Sequence, residues 1–249
     1  MLVLALSACL DRYLDAPYVL VAGLGRARSL AMAADGTLVA ATDLGVVTID
    51  GNGNVTPIAA ATVDAVTTLP AGLITLRSGH IVGPGFEAGV PGAVDVIAGP
   101  DGAIYALTTE ALWRLPRQGE VRLDAELILG GLMRARALAM GSAGDILVVT
   151  DSSIRTSAGN VLIDGLHDVR GAVVDAKART YVVCGADDDT GGTLFRLDTA
   201  PDTGTPHLTT IARYLGDARD IAFGAGGLLP TENLYIADSA GNVTYVRPP

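Results

Sequence analysis

The chain has 249 residues, enough to bury about 75% of its unfolded surface in a single large domain. Half of it is hydrophobic (49%) but only 4% is aromatic, so the core must come from Val, Leu, Ile and Ala, and 31 glycines with 12 prolines suit an all-β fold rich in tight turns. A net charge of −10 excludes a nucleic-acid groove, and two cysteines with three scattered histidines exclude a disulfide framework and a structural zinc site.

The chain opens on the apolar run Met1 to Ala8, followed by Cys9. Leu6-Ser7-Ala8-Cys9 resembles the lipobox of bacterial lipoproteins. The resemblance implies cleavage before Cys9 and a diacylglycerol on its thiol, which would place the protein at the bacterial cell envelope, facing the periplasm or exterior. Residues 1–9 therefore read as signal and lipobox, 10–17 as a short linker and 18–249 as one domain. No later stretch approaches the ~20 apolar residues of a membrane-spanning helix, so contact with a membrane is expected only through a lipid on Cys9.

An apolar strand is expected at Tyr18 to Gly23, followed by the first copy of a repeated phrase, RSLAMAADGTLVAATD, from Arg28 to Asp43. Each copy reads as an apolar strand, a glycine turn, a second apolar strand and an aspartate. Asp50 to Asn54 (DGNGN) has hairpin-turn chemistry, with Gly and Asn where positive φ is needed. Further copies start near Val66 and Val96, with turn glycines at Gly72 and Gly102 as at Gly36. Leu123 to Met140 holds good helix formers, but Gly130-Gly131 interrupt it, and it reads as an outer strand, a loop and the next inner strand. The fourth copy, RALAMGSAGDILVVTD, runs from Arg136 to Asp151 with its turn at Gly144. The fifth, Gly171 to Asp189, carries Arg179 in place of the turn glycine, and Cys184 in its apolar strand reads as a small buried hydrophobe. The sixth ends at Asp238 and is followed by the turn SAGN.

Second strands such as Ile146 to Val149 are unbroken apolar runs, as expected where both faces are covered. Six copies of a hairpin-rich unit that cannot bury its faces alone predict an all-β fold, a six-bladed β-propeller of four-stranded antiparallel blades. The last copy leaves room for three strands, so Tyr18 to Gly23 is expected to supply the fourth and close the ring by pairing N- and C-terminal strands, removing open edges. The stretches DGTLVAATD, GDILVVTDSS and ENLYIADSAGNV resemble NHL-repeat and related six-bladed propellers, including gluconolactonase relatives. That resemblance bears on fold more than on activity.

Blade geometry puts the start of each first strand and the end of each second strand on one face. The ring of charge expected at that channel mouth comprises Arg28, Asp43, Asp64, Asp95, Arg136, Asp151, Arg170, Arg219 and Asp238, with His167 on a neighbouring loop and Asp168 as its possible orienting partner. The arginines could converge on an anionic ligand, or each could pair with a neighbouring Asp; the recurrence of Asp beside Arg favours pairing. The second-strand aspartates could equally cap the turns that follow them. Asp187 and Asp189 offer alternate carboxylates for calcium, although a solvated turn explains them as well. No catalytic residues, resident metal or cofactor are expected. The reading is a monomeric, non-enzymatic binding or scaffold propeller for an envelope protein or small ligand, with no nucleic-acid partner. The alternative is a gluconolactonase-like hydrolase; that resemblance implies a channel metal held by Glu, Asn and Asp, whereas the expected channel positions here are Arg and Asp.

Overall fold

The computed structural model describes residues 17–115, 125–187, 191–199, 205–224 and 232–248. Strand β1 (Tyr18–Val21) is followed by a first blade of β2 (Ala27–Met32), β3 (Leu38–Thr42), β4 (Gly45–Ile49) and β5 (Val55–Ala59). The second blade holds β6 (Ala65–Leu69), β7 (Gly72–Arg77), β8 (His80–Gly83) and β9 (Phe86–Gly89), and the third β10 (Ala93–Ala98), β11 (Ile104–Thr108), β12 (Leu112–Leu115) and β13 (Glu126–Leu129). The fourth is β14 (Ala135–Met140), β15 (Ile146–Thr150), β16 (Ile154–Thr156) and β17 (Val161–Ile163); the fifth is β18 (Val169–Val174), β19 (Thr180–Asp187), β20 (Gly191–Thr199) and β21 (Pro206–Ala212). In the sixth, β22 (Ala218–Phe223), β23 (Leu234–Asp238) and β24 (Val243–Val246) are completed by β1, which pairs antiparallel with β24 at Tyr18–Tyr245 and Val21–Val243. The six-bladed ring and its closure are thus as the repeats imply, and the described part of the 123–140 stretch holds the outer strand β13 and the next inner strand β14.

The core is divided among the seams. Six apolar clusters occur among the described residues, each shared by two neighbouring blades. Second strands β3, β15 and β23 are buried at every position, while the outermost β5 is exposed throughout. The continuous apolar runs therefore reflect strands packed on both faces. Leu38 and Ile49 of the first blade bury fully against Tyr235 and Ala237 of the sixth, each large apolar side chain contributing about 1.5–3 kcal/mol. The same seam is tied by the Leu24 N–H donating to Gly241 O at 3.0 Å. Gly241, at φ 84°, is required there because a Cβ would lie 2.1 Å from Gly25 O.

Two turns differ from their sequence reading: in the second blade Gly72 opens β7, paired with Leu69, and the turn is the Pro70-Ala71 pair before it. In the first, third and fourth blades, Gly36, Gly102 and Gly144 adopt positive φ in the turn after the inner strand. In the fifth, Ala178 takes that position at φ 64°, and Arg179 is the residue after it. Asp175 makes the exception tolerable. Its carboxylate accepts N–H groups of Lys177 and Arg179, both at 2.9 Å, and the Arg179 Nε at 2.6 Å.

Candidate functional site

The inner strands line a channel, and a local irregularity arms its mouth. In five of the six blades the pairing of first and second strands slips after the opening residue, skipping Arg28, Val94, Arg136, Arg170 and Arg219. A residue left out of the ladder at a bulge is free to re-aim its side chain, and here these residues face the mouth. In the second blade no slip occurs, and Asp64 holds the equivalent place just ahead of β6. Around the ring the position therefore reads Arg, Asp, Val, Arg, Arg, Arg.

The mouth is a basin of about 660 Å³, and six of the chain's 17 basic residues line it: Arg26, Arg28, Arg134, Arg136, Arg170 and Arg219. The structure thus brings Arg28, Arg136, Arg170 and Arg219 together and adds two arginines that the repeat alignment passed over. Their signal was a period of two, as expected for side chains on one face of extended chain. Arg26-Ala27-Arg28, Arg134-Ala135-Arg136, Asp168-Val169-Arg170 and Asp217-Ala218-Arg219 all repeat a charge two residues apart.

Pairing is extensive but unequal. Arg28 donates Nε and Nη2 to Asp43 Oδ1 at 3.0 and 2.7 Å, and its Nη1 lies 3.4 Å from Asp64 Oδ1. Asp151 pairs with Arg134 at 3.1 Å instead of Arg136. Arg136 reaches Asp168 Oδ1 at 3.3 Å, and Arg170 holds Asp168 Oδ2 at 2.8 Å, so two guanidinium groups share one carboxylate. Arg219 pairs with Asp217. Arg26 makes no ion pair among the described residues, and the buried Nε atoms of Arg170 and Arg219 have no acceptor. Along the fourth to sixth blades, three ring arginines thus meet two carboxylates.

Two expected mouth residues, Asp238 and Asp95, are placed differently. Asp238 is buried in its turn, accepting the Asn242 backbone and side-chain N–H groups at 2.9 and 2.7 Å. The short turn into β24 needs that cap more than the mouth needs the charge. His167 is exposed on the loop before β18, next to Asp168, whose two oxygens pair with Arg136 and Arg170. Asp95 lies one layer down the bore, together with Asp220, which the sequence reading missed. Cys9 and Asp189 lie outside the described residues, as does the side chain of Asp187.

Asp95 and Asp220 occupy matching positions in opposite blades, the third and sixth. Asp95 accepts its own blade's Val96 N–H at 2.8 Å and the next blade's Leu138 N–H at 2.7 Å. Asp220 does the same for Ile221 at 2.8 Å and Leu30 at 2.7 Å. Each carboxyl thus rivets two inner strands together. Both line the bore, retaining some open surface while sitting deep among protein atoms. Burial, and secondarily the facing Asp220 charge, push the Asp95 carboxyl up to about 8. Burial pushes Asp220 up to about 6. Below them the bore narrows to a cavity of about 200 Å³ walled by apolar residues such as Met32, Ile97, Met140 and Phe223.

The channel metal implied by the resemblance to gluconolactonase relatives does not fit these residues. The mouth offers neither Glu nor Asn, and the two bore carboxyls are committed to backbone N–H donors. Among the described residues no group of three or more His, Cys, Asp or Glu is placed to hold an ion. What the basin can do is receive negative charge from the mouth side.

No protein-family model and no curated protein matches the chain. Solved propellers resemble it in fold. A gluconolactonase from Xanthomonas campestris is 18% identical with a TM-score of 0.66, covering 97% of this chain and 93% of its own. A putative oxidoreductase (glucose dehydrogenase) from Thermus thermophilus is 15% identical with a TM-score of 0.66, covering 92% and 98%. Virginiamycin B lyase from Staphylococcus aureus is 13% identical with a TM-score of 0.60, covering 90% and 96%. At these identities the likeness establishes the propeller architecture and its relation in shape to gluconolactonase-like propellers.

Proposed function

We propose that the protein is a monomeric binding propeller of the bacterial cell envelope that captures a small anionic molecule at its arginine-lined mouth. The observation carrying this reading is the shortage of carboxylate along the fourth to sixth blades. Arg136 and Arg170 share Asp168, and Arg136 reaches it through Nη1 alone, leaving other donors of its guanidinium at the basin wall. A planar guanidinium with open donors is suited to a carboxylate or phosphate oxygen. The setting sharpens the selectivity, since a molecule of net charge −10 repels anions elsewhere and concentrates its cations in one concave opening. The hydrolase alternative is weaker because the bore carboxyls are spent on backbone donors.

Thermal unfolding with acetate or inorganic phosphate tests the reading, because a ligand that binds only the folded state raises Tm with concentration. Either anion should raise Tm, a neutral sugar should not, and Arg170→Ala should remove the effect. No shift with any anion, or an equal shift in Arg170→Ala, overturns it. Turnover in a lactone and ester screen would instead favour the hydrolase. For the envelope assignment, Cys9→Ser should move the protein from the membrane to the soluble fraction of its native bacterium, and a wild-type protein already soluble with an unmodified thiol refutes it.

A further inference from the structure

The third blade breaks the ring of charge. Where the other five carry Arg or Asp, it presents Val94, and the adjoining wall of the basin is Thr109. That sector borders a second pocket of about 410 Å³, with Thr109 lining both. The second pocket is walled by Val90, Pro91, Ala111 and Trp113, the chain's only tryptophan, with the exposed Glu110 as its one charged lining residue. A cationic basin bordered at Val94 and Thr109 by an aromatic-walled pocket is complementary to a molecule with one acidic end and an apolar remainder, its acidic end kept off Glu110 by the arginines.

Resting on the anion-binding reading above, we infer that the natural ligand is an amphipathic anion. Its acidic head lies on the arc of Arg136, Arg170 and Arg219, and its apolar body crosses Val94 and Thr109 into the Trp113 pocket. The head is a monoanion, since three arginines there face two carboxylates, Asp168 and Asp217. The arginines fix the orientation, and the pocket sets the preference for chain length.

Trp113 makes the test direct, because it is the protein's sole indole and sits in the pocket wall. The full chain is titrated with acetate, butyrate and octanoate, and with octyltrimethylammonium as a cation of matched length, following Trp113 emission and, in parallel, binding heat. Octanoate should bind at least ~10-fold more tightly than acetate and change the emission, since each buried methylene adds to the transfer free energy. Arg170→Ala should weaken acetate and octanoate alike. Trp113→Ala should bring octanoate down to the affinity of acetate. Ala111→Glu, which fills the pocket from a turn position and leaves Trp113 in β12, should do the same should Trp113→Ala fail to fold. Equal affinity for acetate and octanoate overturns this inference and leaves the anion-binding reading standing. Binding of neither overturns both, and equally tight binding of the octyl cation refutes the placement of the head on the arginines.

Discussion

Folding stability should fall as pH rises from about 5 to about 8, and Asp95→Asn should remove most of that fall. The folded Asp95 carboxyl titrates at about 8 against an ordinary 3.8, through burial first and the facing Asp220 second, and Asp220 is itself raised to about 6. A raised folded pKa means that between those values the folded protein holds a proton the unfolded chain has released. Stability from this source is complete below about pH 4 and lost by about pH 8. At ~1.4 kcal/mol per pKa unit, the full Asp95 shift corresponds to about 6 kcal/mol. Its open side on the bore and its electrostatic coupling to Asp220 reduce the measurable loss to ~2–3 kcal/mol. Carboxylates with lowered pKa act in a different window. Burial pushes Asp175 up, but the stronger combined pull of Arg179 and Lys177 brings it below its ordinary value, so its contribution is lost only in more acidic solution. Urea unfolding at about pH 5, 6.5 and 8 reads the effect, with m constant as the control for a common unfolded state. The amide of Asp95→Asn cannot ionise but keeps only one of the two acceptors, so the variant should lie ~1–2 kcal/mol below wild type near pH 5, with a nearly flat pH profile that meets or passes wild type near pH 8. A wild-type midpoint that is flat or rises over this range refutes the argument.

Arg136→Ala should cost about 1 kcal/mol or less in urea unfolding, because its pair with Asp168 is partly solvated and Asp168 keeps Arg170, yet anion affinity should fall at least ~10-fold by calorimetry. Ala178→Gly should raise stability by ~1 kcal/mol, measured as a higher urea midpoint, by relieving a left-handed alanine. Gly241→Ala should lower Tm markedly, costing ~2–4 kcal/mol, since its Cβ would meet Gly25 O at the closing seam at a positive φ.

The fold was legible because its signals are repeated and local. Unbroken apolar second strands and glycine turns recur in several copies, and the missing fourth strand of the last copy had one obvious partner in Tyr18 to Gly23. The mouth was legible only in part. Arg28, Arg136 and Arg219 recur at one place in the repeat, but which side chain faces the opening depends on a one-residue slip that apolar patterning does not report. The same slip separates Val94 from Asp95, sending one to the mouth and the other down the bore. Asp238 looked like Asp43 and Asp151 in the repeat, yet it sits in β23, pairing with Ala218, where those two follow their strands. The choice of Asp168 for Arg136 lies across a blade boundary, 32 positions along the chain, beyond the reach of any repeat-internal reading.

The closing strand also sets the bearing of the whole ring. Because β1 runs antiparallel to β24, Tyr18 lies at the end of the sixth blade remote from the arginines, and Val21 at the near end. The chain leaving β24 at Val246 departs from that same remote side. Anything attached upstream of Tyr18 or downstream of Val246, whether a lipid, a surface or a fused domain, therefore grips the disc behind its rim. The cationic opening is left pointing outward, away from the attachment. A sensor coupled to a support through either terminus would keep its receiving side unobstructed without needing a long spacer.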